Sequence, residues 1–242
     1  MTTNILILAG GDDSLSDGFN DYPGYLEEIG RHSILERLFL NANKIQDREF
    51  ALVVLEQASS KYAIPSIVSA LDQSVRVVSL PGLTAGSACS ALYAACQMDA
   101  MGGLIILSAN EYVDVDYEKV IDFFSSQECD AGTIIFRSVH PRYSYVKVDD
   151  NGLVNKAVQH KPISSDATTG MFWFKNTGLF CSAAEESIRK GVTSAGKYYL
   201  APVFNQLLLQ KNRIGVYRIQ NDQYYPLKDR SQVERFRILE TK

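Results

Sequence analysis

A strand-length apolar run, NILILA at residues 4–9, ends in Gly10-Gly11. A glycine pair there lets the backbone turn tightly and brings N–H groups close to a ligand, so Ala9, Gly10 and Gly11 are candidates for holding a phosphate or a flat base. A tight turn with no ligand is the alternative reading. Asp114 and Asp116 flank Val115, a spacing that can hold a hard divalent cation through carboxylate oxygens. Ligands of open α/β sheets lie at the strand ends, here near Asn110, and these aspartates lie one turn later. Asp116 is there expected to N-cap a helix beginning at Tyr117. Glu111 is a further carboxylate beside Asn110, but adjacent residues leaving a strand point opposite ways. His32, His140 and His160 are scattered, with neither zinc spacing nor a nucleophile triad, and read as loop histidines. Cys89, Cys96, Cys129 and Cys181 contain no CxxC pair and read as small core residues, with Cys89 and Cys96 two turns apart on one helix face.

These residues must be carried by regular elements, and the apolar pattern supplies them. The run at 4–9 reads as a buried parallel strand. A helix from Ser33 to Ala42 follows, with Ser33 as N-cap and Ile34, Leu35, Leu38 and Phe39 at helical spacing. Strands are expected at Phe50–Leu55, Val75–Leu80 and Leu104–Leu107, alternating with helices at Ser60–Leu71, Ser87–Met98 and Tyr117–Phe124. Such a series implies a mostly parallel, doubly wound sheet. From Gly132 the texture changes. Gly132–Arg137 reads as a strand, and Asn151-Gly152 sits between two alternating runs as the turn of a hairpin. GMFWF gives another strand, Ala183–Arg189 and Leu200–Leu209 helices, Ile214–Ile219 a strand, and the tail from Asp229 a last helix. With no linker rich in Pro, Gly or Ser, residues 1–242 read as one α/β domain with a mixed back half.

Composition narrows the function. The 242 residues are 46% hydrophobic and 21% charged, an ordinary globular balance. The net charge of −4 argues against nucleic acid, whose binders carry a strongly basic face. No signal-peptide pattern opens the chain, and no apolar run reaches the roughly 18 residues of a membrane span. A reducing, cytoplasmic setting is expected.

Several stretches taken together point further: LILAGG, YPGYLEEIGRHSILERL, LTAGSACSAL, LSANEYVDVDYEKV, HPRYSYVKVDDNGLVNKAVQHKPIS, TTGMFWFKN and KYYLAPVFNQLL. In order and spacing, over nearly the whole chain, they resemble the sugar-phosphate nucleotidylyltransferases, and most closely a branch of bacterial capsule and surface-polysaccharide pathways. The resemblance implies a Rossmann-like, GT-A-type nucleotidyltransferase fold. It implies binding of a nucleotide or sugar phosphate at Ala9, Gly10, Gly11, Thr84, Gly86, Asn110 and Lys161. The implied reaction is attack of a sugar phosphate on the α-phosphate of a nucleoside triphosphate, with Mg²⁺ needed if the protein is active. That chemistry rests on positioning and on neutralising charge.

The charged positions implied by the resemblance are altered. Counting from Pro23, the loop arginine is Ser14, the lysine is Gly24, the metal-binding aspartate is Asn110, and the acidic residue of the TAGSAC loop is Ala85. Asp12 and Asp13 add negative charge, and one unit charge about 4 Å from a phosphate oxygen is worth roughly 4 kcal/mol at an effective dielectric near ~20. A triphosphate should therefore be repelled. Lys161 falls at the lysine that contacts the sugar phosphate in relatives, with Gln159 in place of its usual acidic neighbour; a solvated lysine before Pro162 is the alternative. Tyr143, Tyr145, Phe172, Trp173 and Phe174 read as core or as the wall of an acceptor pocket. Tyr198-Tyr199 and Tyr224-Tyr225 would suit an interface, and a homodimer or an active paralogue is an expected partner. Three functions follow as expectations. The first is a pseudoenzyme that binds a nucleotide, sugar phosphate or partner. The second is an active transferase rebuilt around Glu111 or Asp13 for Mg²⁺ and Lys161 with Arg142 for phosphates. The third is a structural subunit of a polysaccharide-assembly complex.

Overall fold

The computed structural model describes residues 2–11 and 22–240. Ser14, Asp12 and Asp13, which bear on the glycine loop, lie outside the described residues. The front half runs β1 (Thr3–Ala9), β2 (Glu28–Ile29), β3 (His32–Ser33), α1 (Ile34–Ala42), β4 (Arg48–Leu55), α2 (Glu56–Lys61), α3 (Ile64–Leu71), β5 (Arg76–Leu80), α4 (Ser87–Ala95), β6 (Gly103–Ser108), β7 (Glu111–Val113) and α5 (Tyr117–Ser126). The back half runs β8 (Ala131–Arg137), β9 (Ser144–Val148), β10 (Val154–Gln159), β11 (Asp166–Phe174), α6 (Thr177–Arg189), α7 (Leu200–Leu209), β12 (Ile214–Arg218), β13 (Tyr224–Pro226) and α8 (Arg230–Glu240).

One 9-stranded sheet organises the molecule. Its front half is parallel, in the order β5-β4-β1-β6, with Ile5 opposite Phe50 on one side and Ile105 on the other. β11 then joins β6 antiparallel, β8 joins β11 antiparallel, and β12 closes that edge parallel to β8. The hairpin of β9 and β10 attaches to the N-terminal half of β11, and a bridge from Leu153 to Gly215 ties its turn to β12. This is an α/β fold with a mostly parallel front and a mixed back half.

Burial on both faces explains why the strands read as continuous apolar runs. Along β1, Ile5 and Ile7 enter one core with Leu35 and Leu38 of α1, Val68 of α3, Phe124 of α5 and Phe236 of α8. Leu6 and Leu8 enter the other with Ala88 and Ala91 of α4, Phe180 of α6 and Phe204 of α7. In the first core the Phe124 and Trp173 rings stack with centroids 5.4 Å apart. Gly132 makes room for them: a Cβ there would lie 2.5 Å from the Phe124 ring.

Local chemistry sets the element ends. Ser33 caps α1 in a full capping box with Glu36. Asp116 caps α5, its Oδ1 accepting from the Glu118 and Lys119 amides. The hairpin turn places Gly152 at φ 80 while the Asp149 carboxylate accepts from the Asn151 and Leu153 amides. Three expected helices differ. The stretch 60–71 is broken, because Pro65 cannot donate to an earlier carbonyl and Ala63 adopts φ 49 ahead of it. α4 stops at Ala95, short of Met98. α6 begins at Thr177, ahead of Ala183, with the Asn176 side chain accepting from the Leu179 amide as its cap. Among the described residues no helix is long and apolar enough to cross a membrane.

Candidate functional site

The carboxyl ends of β1 and β6 open onto a cleft of about 450 Å³, where open α/β sheets place their ligands. Gly10 and Gly11 form one wall after β1, and Thr84, Gly86, Ser87 and Ser90 form the next at the start of α4. Gly10 packs so closely that a Cβ would meet the Leu80 side chain at 2.8 Å. Gly86 holds φ 134 against the backbone of Tyr198, and a Cβ there would lie 2.2 Å from the Tyr198 carbonyl oxygen. Hydrogen bonds fix that contact on both sides: Tyr198 N–H donates to Ala85 O at 2.8 Å and Ala88 N–H to Tyr198 O at 3.1 Å. The Thr84 hydroxyl donates to Gly86 O at 2.9 Å and shares a hydrogen bond with Ser90.

The floor comes from an irregularity in β11. Thr168 faces Ile135 and Phe172 faces Thr133, four steps along β11 against two along β8. The surplus residues swing away from the ladder, and the Thr133 hydroxyl satisfies the freed Met171 carbonyl at 2.7 Å. Gly170 thereby aims its N–H at the Glu111 carboxylate. Glu111 is buried at 4% exposure. Its Oε1 accepts from Gly170 N–H and its Oε2 from the Tyr224 hydroxyl at 3.0 Å. Burial pushes its pKa up, while the Lys228 ammonium and the two hydrogen bonds act in the opposite direction. Burial and the Glu111 carboxylate together hold the Tyr224 phenol well above its ordinary value.

The basic side chains in the lining are Arg142, Lys197 and Lys228, all exposed at the rim. His160 lies among them at φ 56, its ring edge-on to Tyr199 with centroids 5.2 Å apart. Partial burial and the Lys228 ammonium both draw its imidazole below the ordinary pKa.

The expected residues separate accordingly. Gly10, Gly11, Thr84, Gly86 and Asn110 come together in this cleft. Ala9 lines a neighbouring cavity with Pro23, Tyr25, Lys61 and Tyr62, which Gly11 also reaches. Lys161 is exposed and lies off the lining of both cavities. Gly24 is buried in a short 3₁₀ turn, and Ala85 is exposed beside Gly86. Glu111 and Asn110 both reach the cleft, against the expectation that they diverge, because β7 turns back to pair with β13. Tyr224 is a buried partner of Glu111 and Tyr199 lines the cleft, so neither is an exposed interface tyrosine. His160 is part of the cleft, unlike His32, which pairs with Glu36, and His140, which accepts from the Arg142 amide. Of the cysteines only Cys129 is buried, and Cys96 is exposed. Lys197 opens the KYYLAPVFNQLL stretch, which implies no role for it, and Lys228 carries no sequence signal; the path of each into the site depends on distant pairing.

A magnesium ion would need hard oxygen donors with a free approach. Among the described residues no group of three or more His, Cys, Asp or Glu converges. Glu111 is enclosed, Asn110 Oδ1 accepts from the Ser108 hydroxyl at 2.8 Å, and Lys228 presents an ammonium to the same space. Asp114 is exposed and Asp116 is used as a cap. The described donor set does not fit Mg²⁺.

No family model matches the chain, and no curated protein matches it. Solved structures do. A nucleoside-diphosphate-sugar pyrophosphorylase from Vibrio cholerae RC9 aligns with a TM-score of 0.81 at 18% identity, over 97% of this chain and 99% of that one. A structure assigned as a glucose-1-phosphate thymidylyltransferase from Bacillus anthracis, in complex with sucrose, aligns with a TM-score of 0.77 at 15% identity, over 98% of this chain and 94% of that one. HddC from Yersinia pseudotuberculosis, complexed with GMP-PN, aligns with a TM-score of 0.67 at 17% identity, over 99% of both chains. At these identities the likeness establishes the fold alone, an α/β fold shared with these solved structures over nearly the whole of each chain.

Proposed function

We propose that the cleft binds a phosphorylated sugar or a nucleotide sugar, and that the protein serves sugar-nucleotide metabolism by binding, without nucleotidyl transfer. One observation carries this reading: Arg142, Lys197 and Lys228 ring the cleft while its one carboxylate among the described residues, Glu111, is buried and hydrogen-bonded. Such a rim attracts a phosphate or diphosphate. It does not supply the metal that would gather a triphosphate and stabilise the charge developing at its α-phosphate. The two glycine walls, with Gly10 and Gly11 in one and Gly86 in the next, offer backbone groups to a flat base, and the polar floor of Thr168, Thr169 and Gln159 suits sugar hydroxyls. The similar structures, a nucleoside-diphosphate-sugar pyrophosphorylase and one assigned as a glucose-1-phosphate thymidylyltransferase among them, support the same substrate class.

Titration calorimetry with UDP-, GDP-, CDP- and dTDP-glucose, glucose 1-phosphate and the matching triphosphates, together with a pyrophosphate-release assay, tests the reading. Binding of a nucleotide sugar or sugar phosphate without pyrophosphate release is expected. Magnesium-dependent release of pyrophosphate from a triphosphate and a sugar phosphate would replace the reading with that of an active transferase.

A further inference from the structure

We infer that Lys228 is a built-in cation that holds the phosphate of the cleft's ligand without a divalent metal; this rests on the binding reading above. The backbone delivers the residue to this place. β13 pairs with β7 so that Tyr224 faces Val113 and Pro226 faces Glu111. Leu227 continues the pairing, donating its N–H to Asn110 O at 2.8 Å. Leu227 is buried at 2% exposure, which anchors the chain immediately before the lysine. Lys228 N–H then donates to Gln232 Oε1 at 2.9 Å, and the Asp229 carboxylate accepts from the Gln232 amide at 2.9 Å. The lysine stem is therefore rooted at Asn110, and its side chain lines the cleft with Glu111 and His160.

The surroundings favour an anion there. Glu111 directs both oxygens to donors of its own, Gly170 and Tyr224. No salt bridge ties Lys228 to a carboxylate among those found in the described residues. Arg142 and Lys197 lie on the same rim and can share a diphosphate with it. A lysine presents its three donors as a compact point charge, which suits a phosphate oxygen without demanding fixed coordination geometry. The same ammonium lines the cleft with Asn110 and acts on the Glu111 carboxyl, and so disfavours a divalent cation there. Ligand binding is thereby made independent of Mg²⁺.

The test is calorimetry with the nucleotide-sugar panel and glucose 1-phosphate, each in EDTA and in Mg²⁺, on the wild type, Lys228→Met, Lys228→Arg and Lys161→Met. Binding by the wild type should be the same in both buffers. Lys228→Met should weaken it by about tenfold to a hundredfold, the usual worth of one charge-assisted hydrogen bond. Lys228→Arg should restore part of it, and Lys161→Met, which removes a charge from an exposed position off the lining, should bind as the wild type does. Response to glucose 1-phosphate alone would assign the phosphate to a sugar phosphate; response only to the panel would assign it to a diphosphate. Wild-type binding that disappears in EDTA, or that Lys228→Met retains in full, overturns the role of Lys228 and leaves the binding reading standing. Silence of the wild type toward every probe in both buffers overturns the binding reading and this inference with it.

Discussion

Gly86→Ala is the substitution that tests most directly how the cleft is held open. The new Cβ would sit 2.2 Å from Tyr198 O, 2.7 Å from Tyr198 N and 2.9 Å from Tyr198 C, all backbone atoms with no rotamer to yield. Residue 86 also holds φ 134 and ψ 172, a region that only glycine occupies freely, and forcing another residue there costs about 1–3 kcal/mol. Relief of the clash must move the 84–86 loop off residue 198, breaking Tyr198 N–H to Ala85 O and Ala88 N–H to Tyr198 O. Each such bond contributes about 1 kcal/mol net. The sum is a loss of about 3–5 kcal/mol, a large share of the ~5–15 kcal/mol typical of a domain. Urea unfolding followed by far-ultraviolet circular dichroism measures it, with an unchanged slope showing that both states keep their extent. Gly82→Ala is the companion, since a Cβ there meets nothing within 4 Å; its effect should stay within about 0.5 kcal/mol. A loss below about 1 kcal/mol for Gly86→Ala would refute the reasoning, because neither the contact nor the strain could then be as described.

Three further outcomes are expected. Because burial raises the Glu111 pKa above its ordinary 4.5, the folded chain holds more protons than the unfolded chain in the window above that value. Stability due to this group must then fall as pH rises from about 4.5 through the folded pKa, by up to about 1.4 kcal/mol per pH unit. The stability of the wild type relative to Glu111→Gln should decline in that window; a difference that stays flat in urea titrations from acid to mildly alkaline pH would contradict it. Asp116→Ala should cost about 1 kcal/mol for loss of the α5 cap and leave the response of the melting temperature to Mg²⁺ unchanged; a Mg²⁺-induced rise lost in the variant would restore these aspartates as metal ligands. Phe124→Ala removes a fully buried ring stacked on Trp173 and should cost about 3–5 kcal/mol, measured as a shift in unfolding midpoint; a change below about 1 kcal/mol would mean that the core around Gly132 does not pack as described.

Much of the architecture is written in local pattern. The apolar runs of β1, β4 and β6, the capping box at Ser33, the Asp116 cap and the Asn151-Gly152 turn are decided within a few residues, where side-chain period and backbone preference act. Helix boundaries were less legible where a weak start hides a real cap, as at Asn176, or where a proline and a left-handed residue divide one pattern in two, as at Ala63. The glycine walls of the cleft could be read for the same reason: Gly10 follows a strand directly, and the TAGSAC loop opens a helix.

What the sequence by itself determined, then, is the alternation of strands and helices, the glycine turns and the absence of the charged residues that the family resemblance implied at Gly24 and Asn110. Only the tertiary structure decided what stands in their place. Glu111 and Asn110 share the cleft because β7 pairs with β13, more than a hundred residues away. Gly170 meets Glu111 because β11 carries surplus residues opposite β8, and Lys228 reaches the site because Leu227 is hydrogen-bonded to Asn110. None of these contacts has a local signature. Burial and charge at such a site depend on which distant segments the sheet brings together, and hydrogen bonding between them, unlike side-chain periodicity, leaves no trace along the chain.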